Sequence, residues 1–426
     1  MNLAVCQPIK KIIAHNLSIY YENPGYGLYD FDQNGIHFAR RGDVLVTRRG
    51  VPKAYIDFLS QCGFDLDGTL FVCADSSLPN THEAFFDDRS IMEKTKKILS
   101  LTGADGNAVL DSFMITPKEA EWARMVGVNI VGVPEHYYEF GTKSSFRTLA
   151  KQNHVKIPMG YENQSRVIDG ALSASLLFLR GAEEIVIKSD EGVAGLGSRR
   201  FLRGNFFAQL DSFKHFMETP HGVISDRELK FVLERWHSGV KSSPSVQLYI
   251  PQDGSVEIIS THIQLFYPDN ALRYKGCLSG NYLTDDERKK LETESVRFGA
   301  VYAKKGYRGH LAFNTILLQD GQLLFVETNP RRVMSSYPRQ IMKTIYGGNV
   351  SNIYYRSQHI KKDIWKGVGI DTVLSSLAPV LFSGVKKSGI VPFDYGLLFL
   401  SGGLSIVGFG SSKEEVNLLF DYVETI

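Results

Sequence analysis

Apolar and polar positions alternate in two rhythms along this chain, and the change of rhythm divides it. GDVLVTRRG (42–50) predicts a strand that ends at a turn, and VPKAYIDFLSQCG (51–63) a helix with a Gly stop. GTLFVCAD (68–75) follows as a strand, SIMEKTKKILSLTG (90–103) as a helix and AVLDSFMIT (108–116) as a strand. PKEAEWARMVG (117–127) opens on Pro and closes on Gly, as a helix does, and VNIVGVP (128–134) completes the set. Strands alternating with helices predict an open, mostly parallel sheet. No GxGxxG follows these strands, so the dinucleotide fingerprint is absent.

Beyond residue 139 the pattern turns to α+β. A helix over Lys143 to Asn153 and a second within SRVIDGALSASLLFLRGAEE (165–184) precede EIVIKSD (184–190), a strand. That strand runs through EGVAGLGS (191–198) into RRFLRG (199–204), a hairpin with a glycine-rich turn. NFFAQLDSFKHFMETP and SDRELKFVLERWHSG read as two helices, and 243–267 as a hairpin through Asp253-Gly254. NALRYKGCLSG (270–280) reads as a polar loop, followed by a long helix in TDDERKKLETESVRFGAVYAKKGY. The stretch 388–410 predicts two or three strands, and SKEEVNLLFDYVETI a capped terminal helix.

At 426 residues the chain has room for two or three domains with substantial cores. Its 48 basic and 46 acidic residues leave a net charge of +2, which offers no electrostatic case for nucleic acid or an anionic membrane. Four scattered cysteines without CxxC spacing argue against a zinc site or disulfide framework and suit a reducing cytoplasm. Charges interrupt the apolar residues of the first segment, so it does not read as a signal peptide, and no apolar run reaches membrane-span length.

The chemistry concentrates at LAFNTILLQDGQLLFVETNPRR (311–332), two apolar strands joined at Asp320-Gly321. Where the second strand ends, Glu327, Asn329 and Arg331 occupy alternate positions, so an extended backbone aims all three at one side. A carboxylate and an amide oxygen suit magnesium, which keeps waters and substrate phosphates as its other ligands. A guanidinium beside them would stabilise a transferring phosphoryl group. The alternative is an ordinary polar strand end. Lys188, Gly192, Gly195, Gly197 and Ser198 would bring a cation and several backbone N–H groups to an anion. No Lys follows the last Gly directly and a strand comes next, so this is not a P-loop. Its alternative is a mobile hairpin with an unrelated lysine at its base.

Taken in order, Lys143, Lys188 before a glycine hairpin, and Glu327-Thr-Asn329-Pro-Arg331 after an apolar hairpin resemble the ATP-grasp superfamily over roughly residues 42–338. The tail, SGIVPFDYGLLFLSGGLSIVGFG with the helix after it, is similar to pheganomycin-type peptide ligases, which carry a pre-ATP-grasp domain. The resemblance implies an α/β domain at 1–136, a small lobe at 137–239, a large lobe at 240–365 and a segment at 366–426 packing on the core. It implies ATP and Mg2+. Lys143 and Lys188 would meet the phosphates under the glycine loop, Glu234 and Trp236 would border the adenine, and Gln264 would face the nucleotide. Glu327 and Asn329 would bind magnesium and Arg331 would stabilise the acyl-phosphate.

Relatives place an acidic metal ligand where this chain has Asn314, which can coordinate through its amide oxygen but adds no charge. Arg273, Tyr274, Lys275 and Arg332 are candidates for a substrate carboxylate, with solvated surface charge as the alternative; Cys277 reads as an idle thiol. The implied activity is ATP-dependent ligation of a carboxylate to an amine, of amino acid or short peptide type, through an acyl-phosphate. A nucleotide-binding sensor or scaffold without turnover, or an enzyme with a non-amine acceptor, are the alternatives. Homodimers are common in the resembled superfamily.

Overall fold

The computed structural model describes residues 11–15, 31–73, 88–104, 106–191, 197–219, 229–348, 350 and 352–426. Three sheets organise them. The first is parallel and five-stranded, in the order Leu70–Cys73, Val44–Thr47, Lys11–Ala14, Val109–Ser112, Asn129–Ile130. Strands buried on both faces read as continuous apolar runs, and VLVT is buried at every position. Helices Lys53–Gln61, Arg89–Thr102 and Pro117–Val126 connect them as expected. Pro117–Val126 has both signals of its ends: a Thr116–Glu119 capping box and Gly127 in the left-handed region.

Period two distributes this sheet between two cores. Ile12, Ala14, Val44 and Val46 join Trp122, Leu99 and Val126, whereas Ile13 and Leu45 face the opposite way. There they meet Tyr55, Phe58 and the C-terminal residues Ile390, Phe393, Ile406 and Phe409. The first and last parts of the chain therefore share one core.

The second sheet is four-stranded and antiparallel, in the order Gly160–Gln164, Phe231–Arg235, Glu184–Ser189, Ser198–Leu202. Helices Val167–Leu179 and Leu210–Glu218 pack on it through Leu177, Phe178, Phe213 and Phe216. The third sheet has nine strands, with Leu323–Asn329 paired to Gly309–Leu318 and the tail strands Gly389–Phe393 and Gly403–Gly410 at its far side. Helix Asp285–Lys304 covers it through Leu291, Phe298 and Tyr302. Among the described residues no helix is long and apolar enough to cross a membrane.

Two expectations are corrected. SDRELKFVLERWHSG is not helical where described: Phe231–Arg235 is a strand between Gly160–Gln164 and Glu184–Ser189. Four consecutive buried residues, Phe231 to Glu234, follow from its central place and erase the alternation that marks a half-buried strand. The polar stretch 270–280 is not a loop either. Asn270–Ser279 is a strand bonded to Glu257–Tyr267 and Tyr354–Lys361. Its Tyr274 and Lys275 face a cleft, and Gly276 marks a close backbone approach: a Cβ there would lie 1.9 Å from the Ser357 carbonyl oxygen.

That approach is testable. Gly276→Ala should lose about 1–3 kcal/mol of stability in urea unfolding, since backbone rather than a pliable side chain must move. Gly50→Ala, where an added Cβ meets nothing within 4 Å, should stay within about 0.5 kcal/mol of the parent.

Candidate functional site

One cavity of about 890 Å3 lies between the four-stranded and nine-stranded sheets. Alternation along its strands decides what faces it. Glu184, Val186 and Lys188 line it from one strand, His262, Gln264 and Phe266 from another, and Asn314 and Ile316 from a third. Val326, Glu327 and Asn329 line it from the strand Leu323–Asn329, and Arg331 from just beyond that strand's end.

The side of the four-stranded sheet is built on a buried carboxylate. Glu234 is 2% exposed and accepts hydrogen bonds from Lys188 Nζ and Arg147 Nη1. Burial alone would push its carboxyl up; Lys188 and Arg147 more than reverse this and hold it below the ordinary glutamate value. Arg147 also donates to the Pro158 carbonyl at 3.1 Å and reaches Glu162 at 3.4 Å. The start of helix Lys143–Gln152 is tied to the turn that follows the strand of Lys188, because Ser144 N–H donates to Asp190 Oδ1 at 2.6 Å. Lys143 and Lys188 therefore enter the cavity from a common frame.

Lys143 Nζ lies 3.5 Å from Glu327 Oε1, an ion pair that joins the start of its helix to the strand Leu323–Asn329, whose core that helix shares through Phe146 and Leu149. Asn314, the cross-strand partner of Glu327, donates from Nδ2 to Glu327 Oε2 at 3.0 Å. Asn329 is buried nearby at 7% exposure. Among the described residues no group of three or more His, Cys, Asp and Glu side chains is arranged to hold a metal ion. One carboxylate with amide oxygens is nevertheless a donor set that fits magnesium, whose remaining positions go to waters and phosphates.

The other expected residues divide clearly. Ser198, Trp236, Tyr274 and Lys275 line the same cavity. The Arg200 guanidinium lies 4.8 Å from the Trp236 ring centroid, so this indole sits beside a cation. Gly197 is left-handed at the end of its turn, with its carbonyl accepting from Ser189 N–H; Gly192 and Gly195 lie outside the described residues. Two candidates for a substrate carboxylate are elsewhere. Arg273 lies over the Tyr267 ring at 4.3 Å and does not line the cavity. Arg332 donates to Asp111 Oδ1 at 2.6 Å and lines a separate cavity of about 320 Å3, which Arg331 also borders. Burial pushes the Cys277 thiol up to about 12, so it is no thiolate nucleophile at neutral pH.

Two further residues were not singled out from sequence. Arg147 follows Lys143 by four positions and so shares its helix face. His262 precedes Gln264 by two and so shares its strand face; Ser335 Oγ is 2.9 Å from its Nε2, and burial drives its pKa down to about 3, keeping the ring neutral.

The buried carboxylate gives a pH prediction. A folded pKa below the unfolded one means that Glu234 contributes stability present above the ordinary glutamate pKa of ~4.3 and lost as pH falls through the folded value. Arg147→Met should cost about 3–5 kcal/mol at pH 7 by urea unfolding, and the gap from the parent should narrow below that range.

No protein-family model matches the chain, and no curated protein matches it by sequence. Solved structures do. Biotin carboxylase from Campylobacter jejuni, in a β,γ-ATP complex, is 12% identical with a TM-score of 0.60, over 97% of this chain and 91% of that one. L-amino acid ligase from Bacillus licheniformis is 14% identical with a TM-score of 0.56, over 99% and 98%. N5-carboxyaminoimidazole synthase from Aspergillus clavatus, with ADP and 5-aminoimidazole ribonucleotide, is 13% identical with a TM-score of 0.55, over 98% and 99%. Likeness over nearly the whole length identifies the architecture: the chain has the ATP-grasp fold, an N-terminal parallel α/β sheet followed by two lobes that face one another across a cleft.

Proposed function

We propose that this chain is an ATP-dependent carboxylate–amine ligase, with residues 1–136, 137–239, 240–365 and 366–426 as its α/β domain, small lobe, large lobe and core-packing tail. The observation that carries the reading is the convergence of Lys143, Lys188, Glu327, Asn329 and Arg331 on one cavity between the lobes. Solved structures of the same fold contain ADP or ATP, and one neighbour is an amino acid ligase, which supports nucleotide as one substrate and a small carboxylate as another.

In this reading Lys143 and Lys188 meet the phosphate oxygens, and Trp236 and Gln264 border the rest of the nucleotide. Glu327 and Asn329, with Asn314, would hold magnesium, which when bound supplies charge neutralisation between the phosphates. A carboxylate oxygen of the first substrate attacks the γ-phosphorus, the bond to ADP breaks, and an acyl-phosphate forms. The amine nitrogen of the second substrate attacks the acyl carbon; phosphate leaves with the carbon–oxygen bonding pair, and the nitrogen loses a proton to give the amide. Such transfer depends on positioning and neutralisation more than on a protein nucleophile. Arg331 serves both steps as a fixed cation beside the developing charge. Tyr274 and Lys275, on the cavity wall, are the residues placed to meet a substrate carboxylate.

A second reading, nucleotide binding without turnover, is favoured by one observation: Asn314 leaves Glu327 as the single carboxylate among the proposed magnesium ligands. ADP release that requires an added carboxylate, screened over amino acids and short peptides as donors and acceptors, supports the ligase. Tight ATP binding without such release supports the alternative. Glu327→Gln should lower magnesium-dependent ADP release about a hundredfold or more with an unchanged thermal midpoint; an unaltered rate removes Glu327 from the mechanism.

A further inference from the structure

A row of polar side chains crosses the nine-stranded sheet at the metal-binding end of the cavity. Ser245 is the cross-strand partner of both His262 and Asn314, and Asn314 is the partner of Glu327. Partners in register place their side chains on the same face. Ser245 is fully buried, and its Oγ lies 2.9 Å from the Phe313 carbonyl oxygen and 2.9 Å from Asn314 Oδ1. Asn314 Nδ2 faces the other way, 3.0 Å from Glu327 Oε2.

A serine hydroxyl has one proton and can also accept. In this arrangement Ser245 has two acceptors for that proton. A half turn of the Asn314 amide about χ2 exchanges its oxygen and nitrogen. Ser245 then accepts from Nδ2 and gives its own proton to Phe313, so each contact has one donor and one acceptor. Oδ1 then takes the place of Nδ2, about 3 Å from Glu327 Oε2. Two oxygens so close to one another repel, unless a cation holds them. Adjacent ligands of an octahedral magnesium at 2.0–2.1 Å lie about 2.9 Å apart, so the hydrogen-bond spacing also fits two ligands on one ion without a shift of either side chain.

We propose that Ser245 is a positioning residue for the metal, a buried pivot that accepts either face of the Asn314 amide. Without the cation the amide donates to Glu327 and holds its carboxylate; with the cation it turns and coordinates. A group that could only donate or only accept would lock the amide in one state. The hydroxyl does both, and burial leaves no water to take its place. An asparagine can therefore stand where a carboxylate would otherwise be needed, and the metal-free site avoids two carboxylates in contact. This inference rests on the nucleotide–magnesium reading of the cavity.

The test is Mn2+ affinity in the presence of saturating ADP, read by electron paramagnetic resonance, for the parent chain, Ser245→Ala, Asn314→Asp and the double variant. Ser245→Ala should weaken Mn2+ by about tenfold or more, because Nδ2 of the turned amide loses its acceptor. Asn314→Asp should tighten Mn2+, and in that background Ser245→Ala should cost little, since a carboxylate has two equivalent oxygens. Metal-free ADP affinity of Ser245→Ala should stay at the parent value and so report an intact fold. Unchanged Mn2+ affinity in Ser245→Ala overturns the pivot, as does an equal loss in both backgrounds. Glu327→Gln separates the two levels: if it binds Mn2+ like the parent, the metal site itself is misplaced and the pivot falls with it.

Discussion

The cleft depends on a carboxylate taken out of water. Removing an ion from solvent costs several kcal/mol even after relaxation, and Glu234 is stable there because two cations meet it. Each belongs to a different element: Arg147 to the helix Lys143–Gln152 and Lys188 to the neighbouring strand. The triad therefore fixes helix against sheet and holds an ammonium group toward the cavity in a defined direction. Gly160 lets the strands close on this centre, since a Cβ there would lie 2.2 Å from the Leu233 carbonyl oxygen. Stability and preorganisation come from the same contacts.

At the nine-stranded sheet the logic is looser. The Lys143–Glu327 pair spans 3.5 Å, and Glu327 retains 29% of its side-chain exposure. A partly solvated pair of this kind is worth little as a structural tie. That weakness suits the proposed chemistry, because phosphate oxygens and a divalent ion could take over both partners without dismantling the fold. Charge is locked where geometry must not change and exchangeable where ligands must enter.

Legibility in the sequence followed this division. Glu327, Asn329 and Arg331 were readable because period two stays visible where a strand meets solvent or a cleft. The parallel sheet was readable from alternating runs with Pro and Gly at helix ends, and Gly127 serves as such a stop. Phe231–Arg235 was not, because a central strand buries consecutive residues and its Glu234 looks like a helix former until its partners are known. Asn270–Ser279 was hidden for the opposite reason, with Tyr274 and Lys275 facing a cavity that only the assembled sheets create. Arg147 and Ser245 act through contacts 87 and 69 positions away, which no local pattern encodes.

Arg331 and Arg332 show how far one position matters. Both lie just past the end of the strand Leu323–Asn329 and border the smaller cavity, and their surroundings set them apart. Arg331 borders the large cavity and lies 5.4 Å from the Phe113 ring. Arg332 is drawn the other way by Asp111, whose burial would raise its pKa but for the stronger pull of Arg332, His15 and Lys11. The Arg332 backbone N–H also donates to the Phe113 carbonyl at 3.0 Å. One arginine thus ties the N-terminal sheet to the end of the strand Leu323–Asn329, next to the other. A charge-preserving exchange at Arg332 would lose the planar fork that makes the tie directional, so its effect would be felt through that tie rather than through any contact of its own with the large cavity.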